Sequence, residues 1–422
     1  MKNILQNAKN FLLAFTFLLS VLSVNSSCNK NRTSNSHNTL NESTAENVKV
    51  HGSGMDSLKL SEIPITIQQF VDEHKIAGAV TLVAGNGQIA SFEAVGFQDI
   101  EKKIPMRKNT LFRIASLTKP FAAAAIMMLS EEGKLQLNDP VEKYLPEFHN
   151  MWLASEMTQQ KAALIRPTHQ ITIRDILTHT SGMANLPPDI LINSIREYVL
   201  VISQLPLQFE PGSQWSYSGS GITAAARIVE VISGQPYEVF LSERIFAPLG
   251  MRNTSFSPPK ESLERIAALY HPSPDSSGLE AFEGPDWSRF PRPEGGLYST
   301  AADMAIWMQT ILNKGIYNGT RILTENSVKE MTTIQTGELE TGFTDGMSFG
   351  LAFGIVRNPS GVTDMLSQGS FGHGGAFGTQ SWADPASKTI YILMIQRQGF
   401  GNGDASDIRR AFQKIAAEAI IK

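Results

Sequence analysis

Ser116 and Lys119 stand three residues apart in the stretch Ala115-Ser116-Leu117-Thr118-Lys119-Pro120. On a helix that spacing puts both side chains on one face, one above the other. A hydroxyl with an amine over it is a nucleophile with its own base. A helix start adds unpaired N–H groups and the positive end of the macrodipole, both useful to a developing anion. Ser-x-x-Lys is a short pattern that chance supplies in most chains, so the chemistry depends on what else the sequence brings. Two further stretches bear on it. Pro211–Gly221 is dense in Gly and Ser and can place Tyr217 in a cleft. A tyrosine beside an ammonium can have a lowered pKa and act as a base. Phe371–Thr379 carries His373-Gly374-Gly375-Ala376. Glycines there let a substrate approach a strand edge, whose N–H groups suit an oxyanion. Taken singly, Tyr217 with a solvated hydroxyl and a bulged strand with a solvent-facing His373 are the commoner meanings of such stretches.

The elements that must position these residues follow from periodicity and punctuation. Pro120 fits only a first helical turn, where its missing N–H is no loss, so a helix starts close to Ser116. Phe121 to Leu129 is nearly all apolar, which buries that helix on most sides, and Gly133 is its expected C-cap. Apolar residues at helical spacing predict a helix over 62–75. Strands over 79–84 and 89–95 flank the turn signal Gly85-Asn86-Gly87. From 134 to 290 strand character is scarce. Helices are expected at 171–179, 190–204, 221–233 and 236–246, with proline-rich loops at 187–188, 257–259 and 272–293. Another helix, 301–314, follows Ser299 or Thr300 as its cap. Strands are expected at 349–356, 375–383 and 389–397, and a last helix at 404–421. Strands at both ends and helices between them predict an α+β fold. One antiparallel sheet forms from N- and C-terminal strands, flanked by helices, with a mostly helical inserted region. The seam between the two parts is where a site belongs.

The 422 residues are 42% apolar, with a formal net charge of −4 and mean hydropathy of −0.11. No basic stripe points to nucleic acid. The eight histidines are scattered, no His-Glu-x-x-His is present, and neither a dinucleotide fingerprint nor a P-loop occurs. No metal and no cofactor are expected; the partner is a small-molecule or peptide substrate. The first residues differ from the rest. Lys2 and Lys9 precede an apolar run, Phe11 to Val24, too short to span a membrane and suited to a secretory signal. Cys28, the one cysteine, follows Ser26 and Ser27, in a pattern that resembles a bacterial lipoprotein signal. Asn25 departs from that pattern, so plain secretion is the alternative. The expected organisation is a signal peptide over 1–27, lipidation at Cys28, a polar tether over 28–58, and a catalytic domain over 59–422. The product would be an exported lipoprotein of the periplasm or outer membrane. A lone cysteine also leaves stability to the core.

Ser-x-x-Lys, then Tyr, then a Gly-rich strand, in that order, resembles the serine β-lactamase and penicillin-binding-protein superfamily. The resemblance covers about residues 62–420 and is nearest to the class C branch, with its related esterases and D-amino-acid peptidases. Ile176 to Met183, Pro248-Leu249-Gly250-Met251 and Gly295 to Thr300 match too, and are read as structural, His179 included. The resemblance implies that Ser116 is the acylated nucleophile and that Lys119 shares its proton and keeps positive charge near it. It implies that Tyr217 is general base and then general acid, and that N–H groups of Ser116 and Ala376 form the oxyanion hole. His373-Gly374-Gly375 stands where the superfamily has Lys-Thr-Gly, and Gly219 where Tyr-x-Asn has its Asn. The first change weakens the charge that receives a carboxylate. The second removes an amide that holds a substrate's acylamido group. Together they imply an esterase or D-amino-acid peptidase acting on less anionic substrates. A weak β-lactamase, or a non-catalytic module binding peptidoglycan fragments, is the alternative.

Overall fold

The computed structural model describes residues 52–157, 162–187, 190–275, 278–284 and 289–421. The expected signal segment, Cys28 and most of the expected tether lie outside them. The folded body begins earlier than residue 59. Ser53 and Met55 are buried, Met55 bridges Ile420, and Asp56 caps a short helix, Ser57–Leu60, by accepting from the N–H groups of Leu58 and Lys59.

An eight-stranded antiparallel sheet carries the rest. Its order is Met347–Phe349, Gly354–Val356, Phe371–Gly374, Gln380–Asp384, Thr389–Met394, Gly78–Gly85, Gln88–Asp99 and Ile104–Pro105. N- and C-terminal segments therefore meet in mid-sheet, where Val80 faces Met394 and Gly85 faces Thr389. Asn86 and Gly87 both have positive φ, 50° and 78°, as the two-residue hairpin between the first strands requires. Alternate side chains feed two cores. Val80, Leu82, Ala84, Ile390, Ile392 and Met394 pack against the helices Lys119–Glu131 and Ala301–Leu312. Ala79, Val83, Tyr391 and Leu393 pack against Glu62–Asp72 and Asp407–Glu418 on the other face. The α+β fold with its helical insertion is as expected.

Four details differ from the sequence expectations. The strand expected at 375–383 is two strands, Phe371–Gly374 and Gln380–Asp384, joined by a turn at Gly375–Thr379. That at 349–356 is likewise a hairpin, Met347–Phe349 with Gly354–Val356. A run of apolar residues does not register a turn made by glycines within it. Between 134 and 290 two small hairpins form, Leu153–Met157 with Ala162–Ile165 and Leu269–Pro272 with Leu279–Phe282. The helix expected over 190–204 is shorter, Ile195–Ile202, because Ser194 caps it by accepting from Glu197 N–H.

The Lys119–Glu131 helix is buried from Lys119 through Leu129. Its four alanines, 122–125, let neighbouring elements approach closely. Phe121 is fully buried, with its ring 4.4 Å from that of Trp307 and 5.3 Å from that of Phe246. Phe121→Ala should therefore lower the free energy of unfolding by about 3–5 kcal/mol, measured by denaturant titration against wild type.

Candidate active site

The site begins at a turn. Ala115–Thr118 is one turn of 3-10 helix that runs directly into the Lys119–Glu131 helix. Ala115 has φ of +48°, a left-handed conformation that costs a non-glycine residue about 1 kcal/mol. Local strain thus sits immediately before Ser116. The turn is pinned from both sides. Thr379 donates to the carbonyl of Ile114 at 3.1 Å, and Ile114 N–H donates to Leu297. Gly375 has no room for a side chain, because a Cβ there would stand 2.6 Å from the Ile114 carbonyl oxygen. The His373–Ala376 segment is therefore held against the serine turn.

Lys119 Nζ donates to Ser116 Oγ at 2.9 Å and to the backbone carbonyl of Glu294 at 2.6 Å. It also lies 4.6 Å from the centre of the Tyr217 ring. Lys119 is 2% exposed and forms no salt bridge among the described residues. Burial brings its pKa down from 10.5 to about 7, with only partial opposition from the Glu294 charge. Tyr217 is pushed the other way. Burial raises it above 10, and a hydrogen bond with Ser116 opposes that only in part. Its hydroxyl lies 3.4 Å from His373 Nε2. His373 Nδ1 meets the carbonyl of Gly374 at 2.6 Å, so that nitrogen carries the proton and Nε2 accepts. Burial first, and then the neighbouring Lys119, lower the His373 pKa to about 4, against the pull of Asp404. His373 is thus a neutral acceptor for the tyrosine hydroxyl, and the solvent-facing alternative fails: it is 5% exposed.

The structure brings together Ser116, Lys119, Tyr217 and His373. The N–H groups of Ser116 and Ala376 have no partner among the described residues, and Ala376 is exposed in the turn that follows Phe371–Gly374. His179, read as structural, ends its helix in left-handed conformation. Its Nδ1 accepts from Ser218 N–H at 3.2 Å, and its ring packs on Tyr217 with centres 4.6 Å apart.

Three residues outside the sequence reading complete the surroundings. Asn185 Oδ1 accepts from Gly219 N–H at 2.8 Å while its amide donates to the Tyr217 carbonyl at 3.0 Å, fixing the tyrosine loop. Phe343 packs edge-on to Tyr217 at 4.9 Å between centres and is 44% exposed. Glu294 fills the space beside Gly219: a Cβ at 219 would stand 3.1 Å from Glu294 Cγ. Glu294 directly precedes Gly295-Gly296, a stretch the sequence reading singled out, and that adjacency was the available signal. Beyond His373 lies a pocket walled by Phe343, Met347, Phe349 and Trp382 together with Asp404 and Arg409.

A serine bonded to a buried amine, beside the end of a strand of such a sheet, defines a β-lactamase/transpeptidase-like site. The sequence profile described as beta-lactamase matches residues 65–415, and the chain belongs to that family. Protein Rv1367c of Mycobacterium tuberculosis is 30% identical over 362 residues, spanning 78% of this chain and 88% of that protein. Esterase EstB of Burkholderia gladioli is 26% identical over 394 residues, spanning 85% and 95%. Among solved structures, EstCE1, described as a hydrolase with promiscuous acyltransferase activity, superposes with a TM-score of 0.71. At 22% identity, over 87% of this chain and 99% of that one, the likeness is one of fold.

The lowered Lys119 pKa has a consequence for stability. Between about pH 7 and 10.5 the unfolded chain binds a proton there that the folded chain does not, so stability rises with pH across that window. Lys119→Met should flatten that rise and increase stability at pH 7 by about 1–2 kcal/mol, read from melting curves between pH 6 and 10.

Proposed function

We propose that this protein is a serine esterase that works through an acyl-enzyme on Ser116. The observation that carries the reading is the 2.9 Å bond between Ser116 Oγ and a buried Lys119 whose pKa lies near 7. A neutral amine accepts the serine proton at neutral pH without a resident charge beside it. Ser116 Oγ then adds to the ester carbonyl, and the oxyanion is received by N–H groups of Ser116 and Ala376. Burial keeps the Tyr217 phenol protonated, so the resting base is Lys119 rather than Tyr217. Tyr217 passes a proton to the departing alkoxide and regains one from the Lys119 ammonium. Water then attacks the acyl-enzyme by the same proton path in reverse, releasing the acid and restoring Ser116.

The ester reading, rather than a peptidase or β-lactamase, rests on charge. A neutral His373 offers no cation to a substrate carboxylate at the position beside Tyr217, and in the adjoining pocket, walled by aromatic and methionine side chains, the one cation among the described residues, Arg409, stands with Asp404. The Burkholderia relative is named an esterase, which agrees with this. We further propose that the chain is exported and held at the membrane by lipid on Cys28.

A fluorophosphonate probe should label wild type and not Ser116→Ala; equal labelling of the two would sink the acyl-enzyme. Hydrolysis of p-nitrophenyl esters should follow an ascending limb in kcat/KM with a midpoint near pH 7, as Lys119 loses its proton. Lys119→Ala should lower kcat/KM by about 10²–10⁴ and abolish that limb. Nitrocefin turnover as fast as ester turnover would contradict the argument from His373.

A further inference from the structure

Gln396 and Arg397 follow the strand Thr389–Met394, and each holds one of the two segments that carry the Ser116 and Ala376 N–H groups. The Gln396 side chain is buried. Its Oε1 accepts from Arg113 N–H at 3.2 Å, and its Nε2 donates to the carbonyls of Arg113 at 3.0 Å and Ile395 at 2.8 Å. One amide thus takes the place of a strand neighbour for Arg113, just upstream of Ser116. Arg397 N–H donates to the carbonyl of Phe377 at 3.0 Å, and Phe377 directly follows Ala376. Cα atoms joined by a trans peptide stand about 3.8 Å apart, so one rigid peptide gives both segments a common reference. The strand Leu269–Pro272 closes the frame from the other side. Tyr270 N–H donates to the Gln396 carbonyl at 3.1 Å, and Gln398 N–H donates to the Tyr270 carbonyl at 2.8 Å. Ala115, Leu269 and Phe377 form a small buried cluster with Phe282 packed against it.

Ala115 needs such a frame. A non-glycine residue stays in left-handed conformation only where its surroundings over-determine it, and Gln396 fixes the chain immediately before the strained turn. A side-chain amide suits the task because a single planar group both donates and accepts. We propose that Gln396 is a positioning residue that sets the separation of the Ser116 and Ala376 N–H groups, with Phe377 as its counterpart across the frame. The proposal rests on the acyl-enzyme reading above and states what keeps the two donors of that reading in register. Such donors serve only when they meet the oxyanion at about 2.7–3.1 Å, so a small shift of either segment removes one of them.

The test compares p-nitrophenyl acetate with its thionoester, in which sulfur replaces the carbonyl oxygen. Sulfur is a weak acceptor, so preference for the oxygen ester reports the alignment of the donors. Gln396→Met keeps the length of the side chain and lacks the amide. It should lower kcat/KM for the oxygen ester about tenfold or more, and the oxygen-over-sulfur ratio about fivefold or more. The ascending limb stays near pH 7, because Lys119 keeps its surroundings. Rates are normalised to the fraction that takes the fluorophosphonate label; a merely unfolded fraction lowers both esters equally and leaves the ratio unmoved. Phe377→Ala should lower the ratio in the same way and Phe377→Leu should restore most of it, and this pair is decisive if Gln396→Met does not fold. An unchanged ratio in labelled Gln396→Met, or in labelled Phe377→Ala where that variant stands in, overturns the proposal alone. Absence of labelling in wild type overturns the acyl-enzyme reading instead.

Discussion

The buried amine of Lys119 is the constraint on which the site depends. Both its hydrogen-bond acceptors are neutral: the Ser116 hydroxyl and a backbone carbonyl. A carboxylate in direct contact would have kept Lys119 charged well above neutrality. Glu294 avoids this by orientation. Its carbonyl faces the amine while its carboxylate is turned to Arg292 and Thr223, leaving only a modest opposing charge effect. The helix makes such burial feasible. Alanines at 122–125 let the surrounding elements close over its first turns, and the Phe121–Trp307 contact anchors it from beneath.

The same desolvation acts on the other two polar groups and sorts them. It raises Tyr217 and lowers His373, so both are neutral near pH 7 while Lys119 is poised between its two forms. One environment thus gives three groups different tasks. Lys119 can exchange a proton at neutral pH, Tyr217 can only donate or relay one, and His373 can only accept a hydrogen bond. The chain of contacts Ser116, Tyr217, His373 ends on Nε2 because Nδ1 is committed to the Gly374 carbonyl. A lysine at 373 would have brought a second cation into the same volume as Lys119.

Much of this was legible in the sequence because it is local. Ser116 and Lys119 share a helical face through a three-residue spacing, Pro120 marks the helix start, and Asn86-Gly87 names its own turn. Gly78–Gly85 and Thr389–Met394 are apolar almost throughout, as strands buried on both faces must be. What escaped is what only tertiary contact creates. Glu294 reaches Lys119 across 175 positions through a backbone carbonyl, an atom every residue type possesses. Asn185 fixes the tyrosine loop from 34 positions away by hydrogen bonds to backbone groups. The strand Phe371–Gly374 has one large apolar residue, so its periodicity gives no signal. The hairpins at 153–165 and 269–282 carry too few residues to be distinguished from loops.

Gly219 shows why such residues are best interpreted in pairs. Seen in the sequence, a glycine where the superfamily has an amide reads as a loss. In the structure the vacated volume is filled, and by a side chain whose own main chain positions the catalytic amine. A glycine that had merely lost a function would leave a cavity or a water site. A glycine packed against a partly buried, ion-paired carboxylate is one half of an exchange.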